Sequence, residues 1–148
     1  MNTRLLVYIF IVAISFLCDK IHSECKDPTL FKDGVSLVHH FISIYLWFGT
    51  FIFGYPEYHL LFILAIKFGW VYFGSCVISE WYNNACKLNK RENHKDIPYY
   101  VVSTITNKKY QSYDNLVYVI IGIDVVYLAM KYKLISFWCL ALGPVPFF

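Results

Sequence analysis

Charge is scarce in this chain. Only 16% of its 148 residues are Asp, Glu, Lys or Arg, against about a quarter in an ordinary water-soluble domain, while 58% are hydrophobic and 20% aromatic. Long polar stretches are missing as well. The longest, residues 79–115, has 37 residues, and below ~40 residues a chain seldom folds alone without disulfides or metal, so no catalytic domain fits outside the apolar blocks. No basic run stands beside an aromatic platform, and the 13 Lys and Arg are offset by 10 acidic residues, which argues against a nucleic-acid partner. The usual chemical signatures are absent too. Without a Cys-X-X-Cys pair there is no quinone-linked disulfide-exchange centre, and five histidines with a single His-His pair cannot fill the histidine boxes of a membrane diiron enzyme. Nor is there a phosphate-cradling glycine loop, a Gly-X-Ser-X-Gly elbow or a His-Glu-X-X-His run. Nothing in the sequence assigns an enzyme activity or a cofactor.

What is present is a series of apolar blocks with the charges pushed into the gaps between them. Residues 5–18 follow a short head containing Arg4 and precede Asp19 and Lys20, the outline of a signal peptide or an uncleaved signal anchor over 1–23. Residues 35–53 and 60–78 are nineteen-residue blocks, each rising about 28 Å at ~1.5 Å per residue and so matching a hydrocarbon layer of ~30 Å. Between them Gly54-Tyr55-Pro56-Glu57-Tyr58-His59 reads as a tight polar turn, with Pro56 unable to continue a helix and Tyr55 and Tyr58 suited to the headgroup level. A fourth helix is expected near 113–132, and residues 134–148 either make a short span or lie in the interface, since Pro144 and Pro146 interrupt them. Residues 79–112 read as a polar loop whose stretch 101–105 suits a short strand or interfacial segment. The fold class expected is all-α, a polytopic transmembrane helical bundle of about four spans (three to five), with residues 24–148 as a single membrane domain.

Two rules disagree on orientation. The loops after the first and third blocks carry nine Lys and Arg against Arg4, Lys131 and Lys133 on the other side, so the positive-inside rule puts the long loop in the cytoplasm. A leader sends Asp19 and everything after it across the membrane instead, which places Cys25 and the long loop in an oxidising lumen.

Two groups of polar residues inside the apolar blocks are the functional leads. Lys67 and Asp124 are ionisable residues within expected spans, where an unpaired charge costs at least ~2.5–3.5 kcal/mol. Counting from the helix ends puts both about 10 Å from one face, so that they form an intramembrane pair: either a proton or ion relay, or a contact that fixes helix register. At the opposite face, His39, His40, Cys76 and Glu80 reach one level, and one histidine with Cys76 and Glu80 would supply three ligands for a metal such as zinc, with His22, Cys25 or Cys86 as a fourth. Adjacent histidines point roughly 100° apart on a helix, so only one of the two faces a given neighbour. The cysteine count is five, and in a lumenal loop Cys25 with Cys86 is the disulfide to expect, because Cys18, Cys76 and Cys139 lie in apolar blocks.

The run from His39-His40 through an apolar hairpin to Trp70 and then Cys76-Val77-Ile78-Ser79-Glu80 resembles a pattern of small uncharacterised membrane proteins of large DNA viruses and algae, over about 42 residues. It departs from that pattern at Gly74-Ser75, where asparagines are usual, and at Lys67. The resemblance implies a four-helix membrane fold and no particular chemistry. The expected function is that of a non-enzymatic integral membrane component, partnered by the lipid bilayer and packing against itself or another membrane protein, with Gly69 and Gly74 on the contact face. A proton or ion relay at Lys67 and Asp124 is the alternative, and a metal or redox site at the His39/Cys76 level the third reading.

Overall fold

The computed structural model describes residues 2–23, 25, 29–88, 101, 104 and 111–133, and these are all-helical, without strands. Five helices form an antiparallel bundle: α1 (Thr3–His22), α2 (Leu30–Phe53), α3 (Pro56–Phe73), α4 (Val77–Ala85) and α5 (Gln111–Lys131). By length and composition α1 and α2 are apolar enough to cross a membrane, and α3 with α4 passes the same test only as a bent pair, so two or three spans are supported among the described residues rather than four. Residues 134–148, where a further span was expected, lie outside them. So does most of 101–105; Val101 and Thr104 are described, and both have helical backbone.

The boundaries have local causes. Helix α2 begins five residues before the apolar block because Thr29 caps it, its Oγ1 accepting from the Lys32 backbone N–H at 3.4 Å, and Asp33 complements the positive end in the first turn. It ends at Gly54, whose left-handed φ of 74° closes the last turn. The Arg4 side chain donates to the Phe53 carbonyl at 3.1 Å, setting a cation against the negative end of α2. Pro56, expected to stop a helix, starts one: it stands in the first turn of α3, where the missing N–H has no helical partner to lose. The expected helix over 60–78 is broken instead. Gly74 takes φ +74° after Phe73, the chain bends by 56°, and α4 carries the path into what reads as a polar loop.

Helix α2 is the centre, packing against α1, α3, α4 and α5, while α3 also packs on α5. One apolar cluster joins Leu46 and Trp47 of α2, Ile63 of α3 and Val117 and Ile120 of α5; a second joins Tyr8 and Val12 of α1 to Ile44. Cys25 and Cys86 are joined in a disulfide, with Cα atoms 5.4 Å apart, which ties the α1–α2 connection to the end of α4.

Candidate functional site

Three polar clusters are built on α2. The first joins Thr50 to His59 of α3 and Asp124 of α5, all three buried. His59 Nε2 faces only carbonyl oxygens, of Tyr45 at 2.8 Å and Leu46 at 3.1 Å, so it carries a hydrogen and donates to them. Thr50 donates its hydroxyl to Asp124 Oδ1 at 2.6 Å, which leaves its oxygen, 2.8 Å from His59 Nδ1, to accept. His59 Nδ1 and Asp124 Oδ2 are 2.6 Å apart, the short spacing of a strong hydrogen bond. The ring gets this close because position 49 is glycine: a Cβ there would stand 2.5 Å from His59 Cδ2.

The second cluster sits between α1 and α2. His40 places Nδ1 3.0 Å from Ser15 Oγ and Nε2 3.3 Å from Asp19 Oδ2, and the same carboxylate oxygen accepts from Ser36 at 3.4 Å. Serine, histidine and aspartate thus stand in the order of a hydrolase triad. Ser15 is fully buried, however, so no substrate carbonyl reaches its hydroxyl and the cluster works as an inter-helix clamp. A cavity of about 80 Å³ beside it, lined by Asp19, Lys20, Asp33, Ser36 and Tyr82 among others, approaches Asp19 from the disulfide-bearing end.

The third cluster is at the bend between α3 and α4. His39 Nδ1 lies 3.8 Å from Cys76 Sγ and 3.4 Å from Ser79 Oγ, and Glu80 accepts the Ser75 hydroxyl.

The expected site residues divide accordingly. Asp124 is taken by Thr50 and His59, and among the described residues no ion pair links it to Lys67, whose ammonium lies 5.2 Å from the ring centroid of Trp70 and 4.9 Å from that of Tyr118. Lys67 is eight residues beyond His59 on α3, about 12 Å along the helix, so counting depth from helix ends misjudged the register. Of the four metal candidates only His39 and Cys76 meet: His40 turns to α1, as adjacent helical positions require, and Glu80 goes to Ser75. Among the described residues no group of three or more His, Cys, Asp or Glu is arranged to hold a metal. His22 caps its own helix through the Cys18 carbonyl at 2.8 Å, and Cys25 and Cys86 are committed to each other.

Sequence reasoning passed over His59, Thr50, Ser15, Asp19 and Ser36. Pro56 read as a helix stop leaves His59 in a turn; with Pro56 as the first helical residue, His59 shares the buried face of Ile63. The comparisons with known proteins add nothing to this geometry, since no family model matches the chain and no curated protein or solved structure is significantly similar to it.

Proposed function

We propose that the chain is a multi-pass integral membrane component that acts by packing against itself or a membrane partner. The observation that carries this reading is an inside-out distribution of polarity. His40, His59 and Asp124 are buried, the two carboxylate clusters hold helices together from within, and the outer faces expose Phe10, Leu61, Phe68, Val71 and Tyr72, with Val71 80% accessible. Water would penalise both halves of that arrangement, and a bilayer favours both. Gly69 supports the contact face, because a Cβ there meets nothing within 4 Å. Gly74 has a separate use as the left-handed end of α3. The buried Ser15 and Asp19 support a first helix that is retained rather than cleaved, and the Cys25–Cys86 bond supports the leader orientation over the charge count, with that end in an oxidising compartment.

The test is extraction and association in native membranes. The protein should resist alkaline carbonate, and Gly69→Leu should weaken self-association or partner capture measured by crosslinking while leaving membrane insertion intact. Release by carbonate contradicts the membrane reading; unchanged crosslinking contradicts the contact face. A second reading, a proton relay, is favoured by one observation, the buried 2.6 Å contact between His59 Nδ1 and Asp124 Oδ2. It predicts proton flux in proteoliposomes that Asp124→Asn abolishes, with Lys67 the next group to test.

A further inference from the structure

Cys76 and His39 lie outside the two buried clamps, and the packing role uses neither. They come from different elements. Cys76 is the N-cap residue of α4, just past the bend, and His39 of α2 faces it with Nδ1 3.8 Å from Sγ. Ser79, in the first turn of α4, directs its hydroxyl to the same nitrogen at 3.4 Å. A thiol beside an imidazole nitrogen is the pairing that thiol nucleophiles use, because the ring takes the proton and the imidazolium then stabilises the thiolate. Unlike Ser15 and His40, this pair is not sealed: Cys76, His39 and Ser79 are all partly exposed.

The surroundings also name the electrophile. Helix α4, nine residues long, leads from Cys76 to the Cys25–Cys86 disulfide. A disulfide persists where thiols are oxidised, and disulfides are the partners a thiol meets there. An unpaired thiol kept beside a base in such a place is equipped to react.

We propose that Cys76 is a nucleophilic thiol that exchanges with an external disulfide, with His39 as the base that takes its proton. The Sγ–H proton passes to His39 Nδ1, and the thiolate attacks one sulfur of the incoming disulfide. A new Sγ–S bond forms as the old S–S bond breaks, and the departing thiolate takes the proton back from the imidazolium. Cys76 is thereby oxidised to a mixed disulfide while the departing sulfur is reduced to a thiol by the same amount, so no other oxidant is needed. The inference is independent of the packing role.

The test uses the full chain in lipid nanodiscs with 4,4′-dithiodipyridine as the probe, the reacting residue being mapped by mass spectrometry. An ordinary thiol is only a few per cent ionised at neutral pH, and ionisation offset by the weaker nucleophilicity of an acidic thiol leaves a gain of about threefold. Cys76 should therefore react about threefold faster in the folded protein than in the chain unfolded in SDS; equal or slower reaction in the folded protein would make it an inert, sheltered thiol and overturn the proposal. His39→Gln should slow Cys76 about threefold at neutral pH with Cys18 unchanged, and the difference should vanish near pH ~10, where a thiol ionises unaided. An unchanged Cys76 rate, or a loss that persists at high pH, overturns the role of His39. Should His39→Gln misfold, shown by an altered Cys18 rate, the comparison of folded and unfolded wild type decides alone.

Discussion

His59 has no spare hydrogen-bonding capacity. One ring nitrogen serves two helix carbonyls and the other meets Asp124 and Thr50, so every polar atom of the ring is engaged away from solvent. Removing one partner leaves the other buried without compensation, and breaking such a pair costs about 3–5 kcal/mol. Asp124→Leu should therefore lower stability in detergent by that order, while His59→Leu with Asp124→Leu should cost less than the sum of the single changes. Thermal or SDS unfolding of the four proteins measures this coupling directly, and additive losses would mean that the two residues do not act as a pair. Gly49 belongs to the same account. A methyl at 2.5 Å from His59 Cδ2 must displace a ring held from both ends, so Gly49→Ala should cost about 1–3 kcal/mol and shift the His59 side-chain NMR signals. Gly34, which has nothing within 4 Å of its Cβ position, is the control and should tolerate alanine.

At the scale of helices, the buried polar residues follow a period. In α2 the stripe Ser36, His40, Ser43, Trp47, Thr50 advances by four, three, four and three, and in α1 Tyr8, Val12, Ser15, Asp19 advances by four, three and four. That is the spacing of a packed helix seam, with polar side chains at positions where a soluble bundle carries leucine. The helical blocks were legible in the sequence from their apolar composition. The partners across the seam were not, because lone Ser and Thr residues in apolar runs pass as neutral and no spacing within one helix says which residue of another faces it. The register did leave one trace: at the mouth of the α3–α5 pair, Glu57 accepts from both Lys131 and Tyr132. Glu57 stands in the first turn of α3, ahead of its apolar stretch, and the Lys131 ammonium holds its carboxyl below the usual carboxylate range. A carboxyl depressed on folding stabilises at pH above its unfolded value and loses that contribution as pH falls through the folded one. Acidification below the ordinary carboxylate range should accordingly erase the small stability difference between wild type and Lys131→Gln, read as converging melting temperatures.

For the whole molecule, the disulfide and the first helix make one argument. Cys25 lies three residues after α1 and Cys86 immediately after α4, 61 positions later, so the bond anchors the segment leaving α1 to the far side of α2. Helix α1 in turn contributes Ser15 and Asp19 to the clamp on His40, and Lys20 pairs with Asp33 across the same connection at 2.7 Å. Cleavage after Ser23 would remove Ser15 and Asp19 from His40, while the disulfide would hold down a free end. The clamp on His40 thus depends on α1. Terminal sequencing of protein isolated from membranes should find residues ahead of position 24 still attached, and Cys25→Ser should lower resistance to unfolding by about 2–4 kcal/mol, the usual range for a native disulfide. Reduction of the wild type should reproduce the effect of Cys25→Ser and add nothing to that variant. A mature chain beginning at residue 24 would instead mean that His40 finds a different partner, and the α1–α2 clamp would have no part in the working protein.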